Sequence, residues 1–286
     1  MARPHLLHVC LAIGMTHMGC GSGGTGSIGG PTSPNDPGQP VSGTNETSLQ
    51  NSTPSPSDST PTSDRDATGL AKAAAITAAK SVAGAVATIA PLKDLQAIFE
   101  SGLAPPICPV MMIGDPASTL PLTLDYGSGC EPGAFPNVSI TGTAVGEFFT
   151  AFNAFNMDLS SMSIDGEAIK GTISGSVTRS SGVADFFGSL EASVGDGDSV
   201  RGSLTVSVAE ATGAITISTA SLTVTNAGTD TQSVDLEATR IDPATSGSFT
   251  PGAGTAIVNG SNNGNLVTHT IMFTPQTPLN GSVTVQ

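Results

Sequence analysis

Few side chains in this sequence could do covalent or acid–base chemistry, and their spacing narrows what that chemistry can be. Thiols stand at Cys10, Cys20, Cys108 and Cys130. Carboxylates flank glycine in Asp165-Gly166-Glu167 and again in Asp196-Gly197-Asp198. Calcium takes such oxygens, but it needs about six to eight of them, and the EF-hand spacing is absent. Asp-Gly is also the ordinary opening of a hairpin turn, which is the simpler reading. Only if the two turns lay side by side would weak calcium binding follow. His269 sits in LVTHTIMF, where alternation gives it the face of Val267 and Ile271; it reads as a strand residue, not a general base. Ser174, in GTISGSV, lacks the G-x-S-x-G elbow. No phosphate loop, dinucleotide fingerprint, HExxH or paired CxxC is present. Carboxylate pairs can cleave glycosides. Clefts that do so are usually lined with rings, and this chain has no Trp and one Tyr. The expectation is a protein that is not an enzyme, with no catalytic residues, no cofactor and no metal.

One cluster could bind rather than react. Phe148, Phe149, Phe152 and Phe155 crowd into GEFFTAFNAFNMDL, with Phe186-Phe187 further on. Rings so placed pack a glycine-rich sheet, or line a cavity for an apolar ligand between that sheet and a helix.

The start of the chain bears on location. Arg3 is the only charge in MARPHLLHVCLAIGMTHMGC; an apolar run follows from Leu6 to Met15, then Gly19-Cys20. Basic start, apolar middle and small residue before the cut make a removable signal. Ending on Gly19-Cys20, it resembles a bacterial lipoprotein signal, with His17 where that pattern has an aliphatic residue. The alternative is an ordinary secretion signal. The resemblance implies a signal peptide over 1–19 and acyl chains on Cys20, which would hold the protein to a membrane. Gly21, being other than Asp, implies the outer membrane or cell surface. A second, short resemblance lies in Cys108-Pro109 and Asp125-Tyr126-Gly127-Ser128-Gly129-Cys130, which is similar to a C-P…D-[FY]-G-x-G-C loop of uncharacterised exported lipoproteins. It implies a disulfide and a β-rich, surface-anchored domain, and no activity. An exported chain with two cysteines left in its body usually pairs them, here Cys108 with Cys130. A metal site from this pair is disfavoured, because only His269 remains beyond the leader.

Charge excludes one partner class. Nine Lys and Arg face 23 Asp and Glu, a net of −14. Nucleic-acid binding needs clustered cations and is not expected. Expected partners are the membrane through the anchor, other envelope proteins, or surface polymers.

The elements that must position these residues follow from pattern. Residues 20–67 are Gly, Ser, Pro, Thr, Asn and Asp with scarcely an apolar side chain, the composition of a disordered tether. Residues 68–104 are Ala-rich, with Val82, Val86, Ile89, Leu92, Leu95, Ile98 and Phe99 at helical spacing. Pro91 should end one helix or begin the next, and Gly102 should stop it. This helix reads as packed on the domain's own sheet; touching a membrane or partner is the alternative. Residues 105–286 are β-rich: SLTVSVAEA, AITISTASLTVTN and similar runs alternate with period two between Gly, Asn and Asp. The fold class expected is mainly β, an antiparallel meander sheet (open, sandwich or barrel-like) with the N-terminal helix packed on it. Residues 165–177, DGEAIKGTISGSV, and 196–208, DGDSVRGSLTVSV, share five of thirteen positions, consistent with duplication of one hairpin. The function expected is a lipid-anchored, non-enzymatic envelope or surface module for structure or interaction. The alternative is a periplasmic or outer-membrane carrier of an apolar ligand.

Overall fold

A helix built almost wholly of small residues can lie closer to surrounding strands than any other helix, and α1 exploits this. The computed structural model describes residues 62–286, apart from 103, 115–118, 150–152, 196, 227–229, 263, 275–282 and 286. Cys20 and Phe152 lie outside the described residues, as do the segments expected to be a leader and most of a tether. Helix α1 spans Thr62–Ile89, followed by a 3-10 turn, Ala90–Asp94, and helix α2, Leu95–Ser101. The helix thus begins within the stretch assigned to the tether, and not at 68. Thr, Ser and Asp are the residues that favour helix starts, so polar composition there marked an N-terminus. Pro91 enters the first positions of the 3-10 turn, and Gly102 closes α2 at φ 64°, both as expected.

The rest of the described chain is a meander of twelve antiparallel strands, each paired with its neighbour in sequence. They are β1 (Val110–Ile113), β2 (Leu120–Cys130), β3 (Ile140–Phe149), β4 (Ala154–Ile164), β5 (Glu167–Ser180) and β6 (Val183–Val194). Then come β7 (Asp198–Ala209), β8 (Ile215–Thr225), β9 (Thr231–Ile241), β10 (Pro251–Asn262), β11 (Asn265–Phe273) and β12 (Val283–Val285), with a short helix, α3 (Pro243–Ser246), before β10. The mainly β meander with an N-terminal helix against it is the fold read from the sequence. Asp165 and Gly166 turn from β4 into β5 with φ 50° and 83°, the two positive values a tight hairpin requires.

The sheet curls around α1. A helix on one face of a flat sheet would leave a stripe in water. Here every residue from Ser81 to Leu92 is buried, and strands β4 to β12 all approach the helix. Ala78, Ala79, Ala83, Ala85 and Ala87 are fully buried on different sides of it. The two hydroxyls enclosed with them bond back to their own helix: Ser81 Oγ to the Thr77 carbonyl at 2.6 Å, and Thr88 Oγ1 to the Gly84 carbonyl at 3.0 Å. Facing the helix are alternate strand residues, among them Ile169 and Ile173 of β5, Phe186 and Leu190 of β6, and Val200 and Leu204 of β7. By length and composition Ala67–Phe99 could also cross a bilayer, but in this fold its central part is enclosed by protein.

Curling so tightly requires strands to close on one another. Gly175 of β5 and Gly188 of β6 are register partners at inward positions. A Cβ on Gly188 would stand 2.0 Å from the Ser174 carbonyl oxygen, and one on Gly175 2.1 Å from that of Phe187. Only glycine fits there. At the β1 edge, Cys108 and Cys130 form a disulfide with Cα atoms 6.1 Å apart.

Candidate functional site

Two of the clustered phenylalanines are brought together in the core. Phe148 of β3 and Phe155 of β4 are register partners, both buried, and Phe149 is half-buried. Phe155 meets Phe186 of β6 edge to face, with centroids 6.4 Å apart. The cleft that does lie between helix and sheet is elsewhere. It has a volume of about 250 Å³, and its walls are Lys80 and Gly84 of α1, Ile164, Glu167 and Ile169 of the β4–β5 hairpin, and Phe249. Neither Phe148, Phe149 nor Phe155 lines it, and Phe152 lies outside the described residues.

Gly195, which precedes the second acidic turn, donates its amide to the Ala168 carbonyl next to the first at 3.0 Å, and Asp196 lies outside the described residues. Asp165 Oδ1 is already engaged, accepting the Ser139 amide at 3.0 Å. No group of three metal-ligating side chains gathers among the described residues, so the geometry adds nothing to the calcium reading. His269 is half-buried on β11 opposite Val258, and Ser174 faces outward on β5, bonded to Ser189 at 3.1 Å. The two share no site.

The arrangement with most chemical character is the outer face of β5–β9. Register places Lys170, Ser193, Ser199, Thr225 and Thr231 in one row across the five strands. The next row is Thr172, Glu191, Arg201, Thr223 and Ser233; the third is Ser174, Ser189, Ser203, Ser221 and Asp235. Eleven of these fifteen positions carry hydroxyls and four carry charges of balanced sign, and none is buried. Hydroxyls both donate and accept, so the lattice offers hydrogen bonds of either sense about every 4.8 Å across the strands. Two adjoining hollows of about 470 and 490 Å³ occupy it.

The hollows have a local cause. Gly202 floors the first and Gly171 the second. Both are inward positions without side chains, where β5 and β7 close on the next strand: a Cβ would come within 2.1 Å of the Glu191 or Ser221 carbonyl oxygen. Gly171 and Gly202 occupy equivalent places in the repeat DGEAIKG and DGDSVRG, each preceded by a cation, Lys170 or Arg201. Glu191 and Arg201 are register partners on this face, yet among the described residues neither makes an ion pair, and the hydroxyls of Thr172, Ser203 and Thr223 have no protein hydrogen bond. The sequence reading passed over this site. Its signal was the cation-glycine repeat combined with unbroken Ser/Thr on one side of the alternation.

At the far end of the same strands, Arg179 of β5 reaches both Asp94 in the 3-10 turn, at 3.3 Å, and Glu210 after β7, at 2.7 Å. The hydrogen bond to Glu210 holds the guanidinium protonated, raising its pKa. Comparison of the chain with protein families, with characterised proteins and with solved structures finds no match to any of them.

Proposed function

We propose that this protein is a lipid-anchored, non-enzymatic module of the bacterial envelope, held by Cys20 on the tether that precedes α1, and that the outer face of β5–β9 is its contact surface. The observation that carries this reading is the enclosed helix: α1 takes up the interior around which the strands curl, so recognition is left to the outside of the sheet. That face is hydroxyl-rich and charged, the opposite of a strand face built for lipid. The apolar-carrier alternative has less support, since Phe148 and Phe155 pack against their own core and the helix–sheet cleft is small and bears Lys80 and Glu167.

Two measurements test the reading. Mass spectrometry of the membrane fraction is expected to find an acylated peptide beginning at Cys20; an intact Met1 terminus would rule out the anchor. Ser203→Cys, labelled with a membrane-impermeant maleimide, is expected to react in the purified protein and to be protected in intact envelopes. Equal labelling in both would remove β5–β9 as a contact surface.

A further inference from the structure

We propose that the β5–β9 face binds a neutral, hydroxyl-rich polysaccharide along its two hollows; this rests on the reading of that face as the contact surface. Four observations converge. First, the hollows are made by the repeat, which sets Lys170-Gly171 and Arg201-Gly202 two strands apart and one row out of line, a spacing of about 12 Å. A site built twice at fixed spacing suits a ligand that itself repeats, on the scale of two linked sugar rings.

Second, the charges cancel. Lys170 and Arg201 stand against Glu191 and Asp235 on a chain whose net charge is −14. These rows therefore do not attract a polyanion, and exposed Glu237, in the row of Phe187, adds a further negative charge beside them. Third, Glu191 and Arg201 face each other without pairing, so a carboxylate acceptor and a fork of donors are both open to hydroxyls. Fourth, one row beyond the hollows stands Phe187, outward on β6 between Ser176 and Thr205, with 45 % of its surface exposed. A sugar ring has an apolar C–H face and hydroxyl edges. Phe187 meets the first and the lattice meets the second.

The test is retention of the full-length protein on insoluble cellulose, on chitin and on amylose-substituted gel, with alginate as the charged control. Retention on at least one neutral polymer, unchanged by added salt, is expected. Phe187→Ala and the double variant Glu191→Ala/Arg201→Ala are each expected to weaken it by about tenfold while leaving the circular dichroism unchanged. Both sites are at the surface, so the fold does not depend on them. Retention on none of the three neutral polymers, equal retention of the variants, or retention only on alginate that salt abolishes would each overturn the inference. If neutral polymers fail while Ser203→Cys is still protected in envelopes, the face has a partner of different chemistry and only the present inference falls. If Ser203→Cys also labels freely, the contact-surface reading falls with it.

Discussion

Tyr126 Oη lies 2.7 Å from the carbonyl oxygen of Thr88, so strand β2 caps the last turn of helix α1 from the sheet. The final carbonyls of any helix lack partners within it. Inside a curled sheet there is no water to serve them, and the phenol fills that role. Tyr126→Phe removes the donor and leaves a buried acceptor unsatisfied. A loss of about 1–3 kcal/mol is expected, read as a lower denaturant midpoint with an unchanged slope.

Burial also pushes the Tyr126 phenol well above its ordinary value. The sign of the pH effect follows from that. The folded state holds this proton more tightly than the unfolded chain, so the stabilisation is whole below a phenol's usual pKa of about 10 and is lost as pH rises beyond it. Tyr126 is the chain's single tyrosine and there is no tryptophan, so phenolate absorbance reports on it alone. Ionisation is expected to coincide with alkaline unfolding. A simple titration near pH 10 with the fold intact would place the ring in water.

Glycine at the β5–β6 contact is a steric requirement. Gly188→Val would drive a branched side chain into the Ser174 carbonyl. The expected outcome is failure to fold, or destabilisation of at least about 3 kcal/mol by chemical denaturation. Ser189→Val, one residue away on the outer face, is expected to change stability by less than about 0.5 kcal/mol. The contrast separates a close backbone approach from general intolerance of the strand.

The disulfide closes the edge of the sheet. Serine at both Cys108 and Cys130 is expected to cost about 3 kcal/mol, the loop-closure value for a separation of 22 residues. Non-reducing peptide mapping of the native protein should link the two. Arg179→Ala, by contrast, removes a half-exposed ion pair to Asp94 and Glu210 and is expected to cost at most about 1 kcal/mol, less in high salt.

Features that depend on a few neighbouring residues were legible in the sequence. The Asp165-Gly166 turn, the break at Pro91, the stop at Gly102 and the period-two strands follow from local sterics and alternation. Pairing of Cys108 with Cys130 followed from there being two cysteines in the body of a chain read as exported. What was not legible depends on curvature. Alanines such as Ala83 and Ala85 read as good helix formers, but nothing local says that they are needed because a wall stands on every side. The Phe148–Phe155 cluster offered a core or a cavity, and only closure of the sheet over α1 places both rings in the core. The Thr172–Glu191–Arg201–Thr223 row was hidden for another reason: it exists only once the register of four strands is known.

The most direct test of the enclosed helix is thiol accessibility at two engineered positions in otherwise native protein. Ala83→Cys, at the centre of α1, is expected to resist maleimide until denaturant is added, whereas Ser203→Cys on the outer face labels at once. Equally rapid labelling at both positions under native conditions would contradict a sheet that wraps its own helix.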